Sequence, residues 1–390
     1  MEVRRRQILN LVSKPMKSHH HSSLVFSAII LVYFVILAGG IVRISGAGLG
    51  CPDWPRCFGR WIPPTDISQI PPHINTGDFN FRLAWTEYIN RLAGVISGFV
   101  IFGIFLFLVK NYCEKWKMAL TVVLLGLISL VLLLFFYIAK INFLIPVILS
   151  IILFLILQEG YYLFKYSFRK ITVPFFVALL LMGYQGWLGS RVVSLELKPI
   201  IVSMHFYFAL ILVAFLVYSW VHIRQKNNDS FRVESQSHSK NFRRWTLLLF
   251  FLSVLQIFGG TKAREALEIL YPSREDSSII NLFTENIGRV EVHKYGAFIF
   301  SLSIVIFFLY TRKIVGRNSF LYKTVFWILI ITLLQHFTGV ILYYLAFPAF
   351  GQVMHLLFSS VLFVFLFLLV VLNYEPNHPH RQYLSSSATD

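Results

Sequence analysis

Gln185-Gly-Trp-Leu-Gly189…His205 and Gln335-His-Phe-Thr-Gly339…His355 share one design: a glutamine, a glycine four residues on, and a histidine twenty residues after the glutamine, on apolar stretches of helical length. Recurrence of such a pattern so far along a chain marks a duplicated helical bundle. A histidine set inside it is a candidate ligand for a metal or a haem iron.

The composition around these stretches settles the broad class. Hydrophobic residues make up 57% of the chain and charged residues 14%, in runs too long and too numerous for a water-exposed surface. Segments near 24–43, 85–109, 118–138, 142–164, 172–190, 200–221, 245–261, 291–310, 321–346 and 350–373 are each long enough, as helix, to cross ~30 Å of hydrocarbon. About ten spans are predicted, with 245–261 the weakest. The runs are continuous rather than alternating, which argues against a closed barrel.

The net charge of +17 follows the membrane rule for orienting helices and implies no nucleic-acid partner. Arg4, Arg5, Arg6, Lys14 and Lys17 precede the first span, Lys110, Lys115 and Lys117 follow the second, and Lys165, Arg169 and Lys170 follow the fourth. Further basic clusters fill 222–243 and 312–323. Both termini are therefore expected in the cytoplasm. The first apolar run is long and leads into Gly and Arg, as a span does and a cleaved signal does not.

A polar linker, 222–243, divides the chain into halves that match in order. Gly39-Gly40 corresponds to Gly259-Gly260, Asn90-Arg91 to His293-Lys294, Gln185 to Gln335 and His205 to His355. From Asn90 to Gln185 is 95 residues and from His293 to Gln335 is 42, and the excess of 53 accommodates two extra spans. The expected fold is an all-α integral membrane protein of two pseudo-repeated four-helix transmembrane bundles, with an inserted helical hairpin at about 117–167 in the first half. The expected division is a basic tail 1–22, a first half 23–221, the linker, a second half 244–374 and a tail 375–390.

With the amino terminus inside, Glu87, Asn90, His205, His293 and His355 all fall near the outer ends of their helices, where ionisable groups are costly and more often functional than not. His293 and His355 on neighbouring helices are what a bis-imidazole haem site requires. A lone zinc ion usually takes three protein ligands. Glu87 and Arg91 also have the spacing of a simple helical ion pair. Cys51 and Cys57 lie in a loop on the oxidising side, as a structural staple or as a reducible pair; Cys113, near the opposite face, reads as an unremarkable buried or interfacial thiol. His19-His20-His21 reads as a solvated part of the basic tail. Arg43, Arg82, Arg191, Lys262 and Arg264 anchor the outer interface or meet carboxylates, with Arg43 and Arg91 foremost as binders. The stretch 263–288 is expected to be a polar outer loop over the second site.

These residues together resemble the haem A synthases, membrane proteins of cytochrome oxidase assembly. The resemblance covers almost the whole chain outside the hairpin. Gly39-Gly-Ile-Val-Arg-Ile-Ser-Gly-Ala-Gly-Leu-Gly-Cys-Pro-Asp-Trp-Pro-Arg-Cys57 is similar to that family's first-helix exit and outer loop, and Glu87-Tyr-Ile-Asn-Arg91 to its Glu-x-x-His-Arg signature. Gln185-Gly-Trp-Leu-Gly189 with His205, and His293-Lys294 with His355, resemble the remaining histidine positions.

The resemblance implies an oxidoreductase that converts the C8 methyl of haem O to the formyl of haem A with oxygen from water. It implies haem b iron between His293 and His355, substrate haem iron on His205 with Asn90, Arg91 and Arg43 around the substrate, and Glu87 as the essential carboxylate. It also implies an inner-membrane location, and haem O synthase and oxidase assembly factors as neighbours; self-association into a homo-oligomer stays open. Asn90 departs from the pattern, standing where many members have histidine, and a carboxamide is a poor haem ligand. Lys294 replaces an arginine, the better bidentate partner for a carboxylate. The competing readings are a non-catalytic b-type cytochrome, disfavoured by Glu87 beside a half that lacks one ligand, and a haem transporter.

Overall fold

The computed structural model describes residues 18–75, 77, 79–139, 141–227, 240–270, 279–345 and 348–374. The outermost basic tail, the middle of the linker and the carboxyl-terminal tail lie outside the described residues. Among those described, ten helices are long and apolar enough to cross a membrane and no strand forms. They are α1 (Ser18–Ile44), α2 (Phe81–Tyr112), α3 (Trp116–Ile138), α4 (Ile145–Tyr166), α5 (Arg169–Ser194), α6 (Pro199–Asn227), α7 (Lys240–Leu270), α8 (Ile279–Ile314), α9 (Phe320–Tyr344) and α10 (Ala349–Tyr374). The chain is an all-α integral membrane protein. In hydrocarbon each backbone N–H and C=O must be satisfied within its own segment, and helices do this.

Local chemistry sets several helix starts. Pro199 opens α6, where its missing N–H would have had no partner in any case. Ser319 caps α9, its hydroxyl accepting from the Tyr322 N–H at 3.0 Å. Elsewhere the helices outrun the apolar pattern. Helix α6 continues through Asn227 and α7 begins at Lys240, so both ends of the polar linker are helical. Of the stretch 263–288, expected as a loop, the residues up to Leu270 and again from Ile279 are helical, and 271–278 lie outside the described residues. Its Lys-Ala-Arg-Glu-Ala-Leu-Glu sequence is rich in helix formers, and Lys262 pairs with Glu265 at 2.7 Å across one turn.

Two compact units are built from discontinuous parts of the chain, and α1, α2, α5 and α6 each run through both. One comprises residues up to Val32, Ile96–Met182 and Phe215–Asn228. Within it α3 packs along α4, and the Glu114 N–H donates to the Tyr166 carbonyl and the Phe168 N–H to the Tyr112 carbonyl, each at 2.9 Å. His21 is buried here rather than solvated: α1 starts at Ser18, and the helix carries the ring to within 3.0 Å of the Tyr112 hydroxyl and edge-on to Phe107. Cys113 is a free, buried thiol whose pKa burial pushes up, which suits an inert role.

The other unit comprises Tyr33–Val95, Gly183–Ala214 and the chain from Asp229. Its helices α7, α8, α9 and α10 pack in sequence and close into a ring, α10 returning against α7. Asn373 ties that closure, donating to Thr246 at 3.2 Å. The final part of α1 lies on α10: the Tyr33 hydroxyl donates to the Ser360 carbonyl at 2.9 Å, and a Cβ on Gly40 would stand 3.8 Å from Val353 and Leu356.

Between α1 and α2 the loop folds over a small core of Cys51, Cys57, Phe58, Ile70 and Ala84, stapled by a Cys51–Cys57 disulfide. Gly50 passes so close to the start of α2 that an added Cβ would stand 2.4 Å from the Leu83 carbonyl oxygen, a backbone atom that cannot step aside. We therefore expect Gly50→Ala to cost about 1–3 kcal/mol, read as a lowered unfolding temperature of the detergent-purified protein.

Candidate functional site

Glu87, His205 and His355 each lie six residues beyond the first residue of their helices, which begin at Phe81, Pro199 and Ala349. At 1.5 Å rise per residue they share a depth of about 9 Å from those helix starts. His293 lies further along α8, yet five residues into its apolar span from Gly288.

Glu87 is 4% exposed and both its oxygens are engaged. Oε1 accepts from the Arg91 guanidinium through Nε at 3.1 Å and through Nη2, and Oε2 accepts from the Cys51 N–H at 2.8 Å. Arg91 spreads its remaining donors over the disulfide loop, to the carbonyls of Asp53 and Arg56 at 2.9 Å and of Cys51 at 3.3 Å. The helical ion pair and the cysteine loop are thus one network: a buried carboxylate clamps a guanidinium that in turn holds three carbonyls. Asn90, one turn along, has a buried Oδ1 that no donor meets, and a Cβ on Gly39 would lie 4.0 Å from it.

His205 stands alone by comparison. The Gln185 amide donates to its backbone carbonyl at 2.9 Å, Gly189 lies beside the ring, and ring Nδ1 is buried without a partner. No hydrogen bond, ion pair or ring contact joins it to the Glu87–Arg91 network among the described residues.

The matching position in the second half is built differently. Thr338 donates its hydroxyl hydrogen to the Gln335 carbonyl at 2.9 Å, leaving its oxygen to accept from His355 Nδ1 at 3.0 Å. This network assigns the His355 tautomer with the proton on Nδ1 and the lone pair on Nε2, which accepts from the Gln335 amide at 3.0 Å. Leu188 stands three residues after Gln185, where Thr338 stands after Gln335, so His205 has no equivalent partner. Sequence reading missed Thr338; its signal was a hydroxyl in one repeat opposite an apolar residue in the other.

His293 faces His355 with ring centroids 6.4 Å apart and planes at 82°. Its Nδ1 is buried and unpartnered, and it lies against a glycine cradle: Cβ atoms on Gly259 and Gly260 would come within 3.5 and 3.1 Å of the ring. Gly39 lies beside Asn90 as its counterpart Gly259 lies beside His293, whereas Gly40 meets Val353 and Leu356 and Gly260 meets His293. Both histidines line a cavity of about 650 Å³, with Gln256, Gln335, His336 and Gly339 also in its wall. Lys294 lines it too, bonded to Glu291 at 2.6 Å and to the Tyr343 hydroxyl at 3.3 Å. Arg43 lines this same cavity.

Fold and site together define a polytopic helical membrane protein with imidazoles set against glycines inside its helices. The chain belongs to the COX15-CtaA family, described as cytochrome oxidase assembly protein, which it matches over residues 22–135 and 137–367. It is similar to "Heme A synthase" of Shewanella oneidensis, 34% identical over 100 residues, or 25% of this chain and 30% of that one. It is also similar to "Heme A synthase" of Shouchella clausii, 22% identical over 348 residues, or 87% and 93% of the two chains. "Heme A synthase" of Nitrosomonas eutropha is 32% identical over 101 residues, 22% of this chain and 28% of that relative. The aligned segments therefore span under a third of the Shewanella and Nitrosomonas relatives.

Removing Arg91 strips a buried carboxylate and three carbonyls of their donor, whereas Glu87→Gln keeps an acceptor for the Cys51 N–H. Arg91→Ala is expected to lose about 3 kcal/mol and to melt below Glu87→Gln in a thermal-shift series. It should also speed reduction of Cys51–Cys57, followed by alkylation mass spectrometry.

Proposed function

We propose that this chain is a haem A synthase, which oxidises the C8 methyl of haem O to the formyl of haem A with oxygen taken from water. The observation that carries the reading is the asymmetry between the two histidine positions. His355 has a tautomer set by Thr338 and a lone pair on Nε2, as a permanent iron ligand requires. His205 has Leu188 where His355 has Thr338, and Asn90 stands at the position that corresponds to His293, as suits a substrate that enters and leaves.

The second-half residues fit a resident b-type haem. Two imidazoles face each other in a cavity with glycines beside both rings, and His293 Nδ1 is buried and unpartnered. His293 and His355 would hold its iron, and when bound that group supplies one-electron redox chemistry. In the first half His205 would ligate the iron of substrate haem O, with Asn90 at the position where many members carry a histidine.

Glu87 acts there as a fixed negative charge rather than as a mobile base. Its oxygens are held by Arg91 and the Cys51 N–H, so it stabilises cationic character developing at the methyl carbon without changing its own position. The cysteine loop keeps that charge in place and excludes water from it. Residues on this face meet the outer side of the inner membrane and both termini the cytoplasm, in keeping with the basic loops. Haem O synthase upstream and a haem-copper oxidase downstream complete the route.

The decisive measurement is chromatography of haems extracted from membranes of a haem-O-producing host. The intact protein should yield haem A or its hydroxylated precursor, and Glu87→Ala should lower that yield about a hundredfold. Unchanged haem O beside a haem-loaded, folded protein would replace the enzyme reading with that of a non-catalytic cytochrome. Asn90→His restores a histidine at that position, and the variant should show an additional low-spin bis-imidazole signal by electron paramagnetic resonance, with less product.

A further inference from the structure

Arg43 stands in the last turn of α1, in the half of the sequence that carries His205, yet it lines the cavity of His293 and His355. The packing explains how it gets there. Gly40, three residues earlier, brings α1 to within a Cβ's reach of Val353 and Leu356, the latter next to His355 and itself a cavity residue. Tyr33, ten residues before Arg43, bonds to Ser360 on the same helix α10. A glycine at that crossing and a hydrogen bond below it fix α1 against α10, so the side chain at 43 is delivered to the second-half site. Ser203 and Phe206, which flank His205 on α6, line this cavity as well.

The cavity's charge favours an anion. Its wall carries three basic side chains, Arg43, Arg264 and Lys294, and one carboxylate, Glu265. Lys262 pairs with Glu265 at 2.7 Å and Lys294 with Glu291 at 2.6 Å. Basic side chains at membrane depth are costly and more often functional than not. Of the available side chains, a guanidinium is best shaped for a carboxylate, with two parallel donors.

The structure assigns Arg43 to the second-half cavity, where it binds a carboxylate of the macrocycle held by His293 and His355. The first helix of the chain thus completes a site whose iron ligands both come from the other half. The assignment rests on the haem reading above and changes one part of it, because Arg43 is taken from the substrate and given to the resident group. Arg43 is here a positioning residue, acting on a peripheral carboxylate and not on iron.

The test is a redox titration of the purified, haem-loaded full chain, with haem counted per polypeptide. Loss of the cation leaves a carboxylate uncompensated near the iron and favours the ferric state. Arg43→Met should lower the b-haem midpoint by roughly a tenfold change in the ferric/ferrous equilibrium, about 59 mV for one electron. Arg43→Lys, which keeps the charge, should recover most of that shift. Arg43→Gln serves in place of Met if the apolar variant does not assemble, with the same expected direction. An unchanged midpoint and haem content, together with weaker retention of added haem O, would return Arg43 to the substrate site and overturn the assignment. A wild-type protein with no low-spin b-type spectrum would remove the haem reading itself, and the assignment with it.

Discussion

A polar group in hydrocarbon has no water to fall back on, and this cost governs the structure from its helices down to its histidine tautomers. It makes every span a helix. It also gives weight to each buried polar atom, because a side chain retained at that cost is either partnered or waiting for a partner. Glu87 belongs to the first kind, with both oxygens occupied. The ring nitrogens of His205 and His293 belong to the second.

The two halves of the sequence hold matching parts, and small differences set them apart. Glycines lie beside Asn90 and His293, and beside His205 and His355. Thr338 then orients one imidazole, while Leu188 leaves its counterpart bare. A metal ligand oriented by a hydrogen bond on its other nitrogen is pre-organised for a lasting bond. The two matching positions thus differ by a hydroxyl in one and an isobutyl group in the other.

Several elements were legible before any coordinates. The ten spans followed from apolar length, the Glu87–Arg91 pair from its four-residue spacing, and the cysteine staple was one of two readings of the loop. Helix ends were not legible at 222–227 and 263–270, because polar helix formers there carry no apolar periodicity and still extend the helix. His21 was misread because its burial depends on Tyr112 and Phe107, some ninety residues away. The link from Glu87 to the cysteine loop was hidden for a related reason, since Arg91 donates to backbone carbonyls, which every residue type has.

By itself the sequence determined the class, the number of spans and the residue types able to carry chemistry, because hydrophobic length and side-chain type are local properties and a membrane reads them one segment at a time. Only the tertiary structure decided what those residues meet. Whether Arg43 serves the first half or the second depends on where Gly40 lets α1 cross α10, and whether Glu87 is held depends on how a loop folds back over α2. Such outcomes depend on close approach between segments distant in sequence, which packing sets and composition does not record.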